Sequence, residues 1–305
     1  MSLLVVMAHH DPEGRIRPHA LRSIERLATE ADRFVLVSGS GITLEEQEFL
    51  PAMVEYERRT GPGHRFASYQ HGLGFVGEAV RTEFDTVLLV DSSFIGPSES
   101  VATIVNGPAT VGYEMVPLVS SSAPRWHPQP YFIGFKQALV RSDTFRRFWL
   151  DFDPSTEAED SVAIAAALEH AVHGVGFRSG AYFRLTGADT ELGISRVTRW
   201  NEIGTPVGAS GVDVERWDPT VVLADEMIVS GRLPVVPIRA LLEDPYLLDA
   251  DRLLAAGEEK HPGLFDGVRE SLATMPGLRR ARGPVRSEPE AEAEGLVYGL
   301  RPTPA

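Results

Sequence analysis

The run Asp85-Thr-Val-Leu-Leu-Val-Asp91-Ser-Ser-Phe-Ile-Gly96-Pro97 is apolar until it stops at an acid, two hydroxyls and a breaker pair. Val87 to Val90 is too short for a helix, carries two β-branched residues and is closed by Gly96-Pro97, so it reads as a buried strand. Continuous apolar strands of this kind belong to parallel sheets covered on both faces. In open α/β sheets ligands bind just beyond the carboxyl ends of the strands, which puts Asp91, Ser92 and Ser93 where a ligand would sit. The plainer alternative is that Asp91 only caps the following turn.

The flanking segments repeat the pattern. Leu3 to Met7 reads as a first strand, with His9-His10-Asp11-Pro12-Glu13-Gly14 as the polar loop at its end. Leu21, Ile24 and Leu27 follow at helical spacing within Ala20 to Ala31, and Phe34 to Val37 is the next strand. This βαβ opening implies a parallel sheet with a right-handed crossover. Ala52 to Glu57, Ala109 to Met115 and Tyr131 to Phe135 read as further strands, and Phe66 to Arg81 and Ser142 to Trp149 as helices, the last with Ser142 as N-cap. Leu185 to Gly211 has little periodicity and reads as a long loop or insertion.

Composition narrows the function classes. The 305 residues carry 43% hydrophobic side chains, a formal charge of -14 and no cysteine. The acidic balance argues against a nucleic-acid partner, whose phosphates require dense Lys and Arg, and against an anionic lipid surface. Thiolate catalysis, disulfides and cysteine-ligated metals are excluded. The apolar start lacks a basic n-region and reads as a strand rather than a signal peptide, so the expected location is the cytoplasm, with a peripheral place at the inner membrane face allowed. No apolar run is long enough to span a bilayer.

Three further clusters bear on chemistry. Arg58-Arg59-Thr60-Gly61-Pro62-Gly63-His64-Arg65 joins cationic side chains and glycines at a helix start, which suits phosphate. A basic loop of an acidic protein is also commonly just solvated. Glu159-Asp160 opens a helix through Val172, either as acids favoured by the helix dipole or as functional carboxylates. His170 and His173, three apart near that helix's end, can share a face and a metal or simply complement the dipole. From Arg279 the chain turns to Arg, Pro, Glu, Ala and Gly, so 279–305 reads as a disordered tail.

Taken in order, several segments between residues 3 and 250 resemble the rhamnan-synthesis F family, bacterial polysaccharide-building proteins related to GT-A glycosyltransferases. The carriers are Asp11-Pro-Glu-Gly14, the Arg59-to-Tyr69 loop and helix, the Asp91-to-Pro97 tip and His127-Pro-Gln129-Pro-Tyr131-Phe132. Ser142 to Trp149, Asp218-Pro-Thr220 and Leu241-Leu-Glu-Asp-Pro245 complete them. At the strand tip, aligned on Gly96-Pro97, Ser92 stands where the family usually has the acid of an Asn-Asp-Ser motif. Gly61 and Arg65 stand where its basic loop usually has Asn and Asp.

The resemblance implies an α/β fold with a GT-A-like (Rossmann-like), mostly parallel sheet in a domain of residues 1–245, followed by a helical extension at 246–278. It implies an inverting transfer of rhamnose or a related deoxyhexose, most simply from dTDP-rhamnose, to a growing glycan or lipid-linked acceptor. Arg58, Arg59, Gly63, Asp91, Ser92 and Ser93 would hold the donor, and His127, Gln129 and Tyr131 the acceptor. Asp160 would be the base, assisted by Glu159, and Asp91 would ligate Mg²⁺ or Mn²⁺, oxygen-preferring ions. Two other readings stand beside it. One is a non-catalytic sugar-nucleotide-binding protein on the same fold. The other is a zinc-dependent sugar N-deacetylase, because Ala8-His9-His10-Asp11-Pro12-Glu13 is similar, in scrambled order, to the motif of those enzymes, and His170 and His173 would complete its site.

Overall fold

The computed structural model describes residues 1–121, 127–153, 161–203, 217–232, 234–242 and 249–275. Among the described residues ten strands run in chain order: β1 Leu3–His9, β2 Arg33–Ser38, β3 Val54–Arg58, β4 Thr86–Asp91, β5 Phe94–Ile95, β6 Met115–Pro117, β7 Ser120–Ser121, β8 His127–Pro128, β9 Phe132–Lys136 and β10 Val236–Pro237. Six form the main sheet in the order β3-β2-β1-β4-β9-β6. β1 to β4 are mutually parallel, while β9 runs against both β4 and β6. This is the mostly parallel α/β sheet expected from the apolar strands.

Alternation along β1 divides the core in two. Leu3, Val5 and Met7 pack on the Pro18–Ala28 helix through Ile24 and Leu27. Leu4, Val6 and Ala8 face the Arg65–Val76 helix through Phe66, Tyr69 and Leu73, with the Asp143–Asp151 and Ser161–Gly174 helices beyond. Close approach at the second interface depends on Gly72, where a Cβ would lie 2.4 Å from Val6 Cγ1.

Several expectations are revised. The helix read over Phe66 to Arg81 ends at Val76, because Gly77 takes φ +68° and a separate short helix, Ala79–Thr82, follows. The strand read over Ala109 to Met115 is confined to Met115–Pro117, since the Thr110 hydroxyl donates to the Val105 carbonyl at 2.8 Å and folds the chain back onto the preceding helix. The supposed loop after Leu185 contains a helix, Gly187–Ile203. Thr186 and Asp189 cap it reciprocally: the Asp189 amide donates to Thr186 Oγ1 at 3.2 Å and the Thr186 amide to Asp189 Oδ2 at 2.8 Å.

The Ala250–Lys260 and Val268–Thr274 helices share a third apolar cluster with Ile95, Val236 and Ile238. The expected tail, 279–305, and the expected boundary at 245 lie outside the described residues. Among the described residues no helix is long and apolar enough to cross a membrane.

Candidate active site at the carboxyl edge of the sheet

The parallel strands deliver their polar ends to one edge. β1 ends at His9, β2 at Ser38, β3 at Arg58 and β4 at Asp91, and β9 enters from the same side directly after Gln129-Pro-Tyr131. Short backbone links hold the tips together: the Asp91 amide donates to the Tyr131 carbonyl at 3.1 Å and the Ser92 amide to the Ala8 carbonyl at 3.0 Å.

The basic loop and the β4 tip meet directly. Arg65, in the first turn of its helix, places Nη1 3.1 Å from Asp91 Oδ2. The other oxygen of Asp91 accepts the Ser93 amide at 2.9 Å and also the Ser93 hydroxyl. The helix carrying Arg65 is pinned to the same edge, because the Tyr69 hydroxyl donates to the Pro130 carbonyl at 2.9 Å.

Arg59 has a different task from the one anticipated. It is buried, and its guanidinium donates to the carbonyls of Gly61 at 3.1 Å, Pro62 at 2.6 Å and Gly63 at 2.7 Å. It therefore shapes the loop from within, where Gly61 and Gly63 take φ +102° and +86°. Arg58 is exposed at the end of β3 and lies beside Gly41 of the loop after β2.

Beneath the tips lies a buried polar layer. The His9 ring lies 3.1 Å from both Ser38 Oγ and the Arg15 carbonyl, and His19 Nε2 donates to the Ser92 carbonyl at 3.1 Å. Burial pushes both imidazoles down to about 4, so both are neutral at neutral pH. Burial also works to raise the Asp11 carboxyl, but the Arg17 guanidinium, 2.6 Å away, and the amides of Glu13 and Arg15 hold it below its ordinary range.

The expected acceptor residues form a second group. His127 and Tyr131 are buried, while Gln129 is half-buried and donates to Asp218 Oδ2 at 3.2 Å. Asp218 also accepts the amide of Thr220 at 2.9 Å and its hydroxyl at 2.7 Å, capping the Pro219–Val222 helix. Burial pushes its carboxyl up, against the hydrogen bonds from Thr220. Asp218, quoted above only within the Asp218-Pro-Thr220 segment, is thus bonded directly to the acceptor group through Gln129.

Glu159 and Asp160 lie outside the described residues. The helix that follows them, Ser161–Gly174, packs against β8. On that helix His173 Nε2 lies 3.0 Å from Ser179 Oγ and accepts the Ser179 amide, so His173 is engaged with Ser179. Among the described residues no group of three His, Cys, Asp or Glu could hold a metal ion. The divalent ion expected on Asp91 meets a carboxylate already bonded to a guanidinium, an amide and a hydroxyl. That donor set does not fit Mg²⁺ or Mn²⁺, which ask for several oxygen ligands converging at short distance.

Polar groups gathered at the carboxyl edge of a mostly parallel sheet define an α/β protein with a ligand site at that edge. The family model for rhamnan synthesis protein F matches residues 34–194, just over half of the chain, and the chain belongs to that family. It is accordingly a glycosyltransferase of polysaccharide synthesis. The match takes in the basic loop, the β4 tip and the His127-to-Trp149 segment, and stops short of Asp218 and of Leu241 to Pro245.

Among curated proteins no relative matches. Among solved structures, glucosyl-3-phosphoglycerate synthase from Mycobacterium tuberculosis, in complex with Mn²⁺, uridine diphosphate and phosphoglyceric acid, is 15% identical with a TM-score of 0.40, covering 67% of this chain and 79% of that one. The galactosyltransferase LgtC, in complex with donor and acceptor sugar analogues, is 9% identical with a TM-score of 0.42, covering 85% and 96%. A 4-diphosphocytidyl-2C-methyl-D-erythritol synthase is 17% identical with a TM-score of 0.38, covering 59% and 87%.

Proposed function

We propose that the protein transfers rhamnose or a related deoxyhexose, most simply from dTDP-rhamnose, to a hydroxyl of a growing glycan or lipid-linked acceptor, with inversion at the anomeric carbon. The observation that carries this reading is the Arg65–Asp91 contact, which joins the loop suited to phosphate to the strand tip suited to a sugar nucleotide. In the reaction the acceptor oxygen bonds to the anomeric carbon as the bond from that carbon to the phosphate oxygen breaks. The electron pair leaves with the nucleoside diphosphate, and the hydroxyl proton passes to a base.

Asp160, immediately ahead of the Ser161–Gly174 helix, is the base in this reading, with Glu159 beside it. The exposed Arg58 and the helix start at Arg65 face the leaving diphosphate, whose growing charge needs preorganised cations and N–H donors. Gln129, tied to Asp218, lines the acceptor side. The reaction belongs to the cytoplasm or the inner membrane face, where we place the acceptor. The N-deacetylase reading is the weaker one, because His9 is buried with both ring nitrogens engaged.

A thermal-shift screen against nucleotides and nucleotide sugars tests the proposal, since a ligand bound only by the folded state raises the midpoint. The expected result is a rise with a nucleoside diphosphate and its sugar, followed by sugar transfer or slow donor hydrolysis. A rise without turnover on any acceptor would leave a non-catalytic binding protein instead.

A further inference from the structure

Arg65 and Asp91 have a consequence for how the donor's charge is met, an inference that rests on the proposed donor class. Asp91 is the acid at the β4 tip, and Ser92 and Ser93 follow it. Its Oδ1 is taken by the amide and hydroxyl of Ser93, and its Oδ2 faces Arg65 Nη1 at 3.1 Å. A carboxylate offers about four lone-pair directions, and three of these are spent. A divalent ion on Oδ2 would stand next to a guanidinium of like charge. Asp11, in the loop after β1, is committed to Arg17.

Arg65 stands against Asp91 at this edge. Its side chain is 32% exposed whereas that of Asp91 is 7% exposed, so the pair presents its cationic member to solvent at the edge. It stands in the first turn of a helix of 12 residues that is fixed by Tyr69 on Pro130 and by the close approach of Gly72 to Val6. Arg59, bonded to the carbonyls of Gly61, Pro62 and Gly63, rigidifies the loop leading into that turn. The positive charge is thus set before any ligand arrives, which is the arrangement that stabilises an anion without reorganisation. A guanidinium can also engage two phosphate oxygens at once.

We propose that Arg65, oriented by Asp91, is the cation that receives the donor diphosphate, and that nucleoside-diphosphate binding by this protein is independent of divalent metal. Asp91 is then a positioning residue rather than a ligand.

Calorimetric titration with dTDP and with UDP, each in excess EDTA and in excess Mn²⁺, tests this on the full chain. For whichever nucleotide binds, the dissociation constant is expected to agree within about twofold between the two conditions. In EDTA, Arg65→Ala is expected to weaken binding by about tenfold or more, the size of one lost charge-assisted contact. Arg65→Lys, which keeps the charge, should retain part of the affinity, and thermal melts of both variants establish that they fold. Asp91→Asn should weaken binding less than Arg65→Ala and leave the indifference to Mn²⁺ unchanged. Binding that requires Mn²⁺, with that requirement abolished in Asp91→Asn, would overturn the inference and leave the proposed glycosyl transfer standing. Parental affinity of Arg65→Ala in EDTA would overturn it equally. If neither nucleotide binds in either condition, the inference and the proposed donor class fall together.

Discussion

The Arg17 guanidinium reaches the carbonyl and the hydroxyl of Thr274, each at 3.0 Å, while its other edge holds Asp11 at 2.6 Å. One buried side chain thereby ties the loop after β1, on the site's edge, to the last helix of the described fold. Removing one partner of a buried ion pair strands the other, a loss of about 3–5 kcal/mol. Arg17→Met is therefore expected to lower the unfolding free energy by that amount in urea titration. Deletion of 279–305 leaves Thr274 in place and should move the thermal midpoint by no more than a few degrees.

Acid should destabilise the fold through two buried imidazoles. His9 and His19 are held at about 4 by burial, against 6.5 when solvated. Between those values the unfolded chain binds protons that the folded one refuses, so stability rises with pH across this window. It is fully present above about pH 6.5 and is lost as the pH falls toward 4, by up to about 3 kcal/mol for each histidine taken alone. Protonating His19 would also create a buried Nδ1–H with no acceptor among the described residues, where that nitrogen has no partner. Urea midpoints measured from pH 7.5 to 4 check this, and His19→Gln should flatten the curve.

Gly72 is expected to tolerate no side chain. A Cβ there would meet Val6 Cγ1 at 2.4 Å and Val37 Cγ2 at 3.1 Å. Overpacking of this kind costs about 1–3 kcal/mol. Gly72→Ala should lose stability in that range in chemical denaturation, and Val6→Ala in the same chain should recover part of it by opening the space. Because this helix carries Arg65, the single variant should weaken nucleotide binding as well.

Much of the edge was legible because apolar strands that end in polar residues announce both the sheet and its carboxyl side. Asp91 and the Arg58-to-Arg65 loop were placed on one edge by that reasoning alone. The contact between Arg65 and Asp91 was not, since periodicity describes faces and carries no information on which side chains meet across elements. Arg59 and Arg65 look alike as cations in one loop, yet one is buried among carbonyls and the other stands at the edge. The Gly187–Ile203 helix was hidden by Gly187 and Gly193, which depress helical propensity. Gly193 is required for packing, because a Cβ there would lie 2.2 Å from the Trp217 ring. Thr186 and Asp189, three apart, were the signal that could have revealed it.

Asp160 is the residue on which turnover should depend most. A general base must lie within hydrogen-bond reach of the acceptor hydroxyl, and Asp160 directly precedes the Ser161–Gly174 helix in sequence. The Ser161–Gly174 helix packs on β8, which leads through Gln129 to the Tyr131 carbonyl bonded to Asp91. Asp160→Asn is expected to keep the fold and the nucleotide affinity while lowering turnover by about two to four orders of magnitude, the usual size of a lost general base. Glu159→Gln should cost less, because the proposed reading gives Glu159 only the task of orienting the pair or binding acceptor. Melting curves, calorimetry and initial-rate transfer assays on the same preparations separate these effects. Parental transfer rates in both variants would reduce Glu159-Asp160 to a helix-opening pair and move the search for the base to the His9-to-Glu13 loop and to Asp218, whose carboxyl is pushed up by burial.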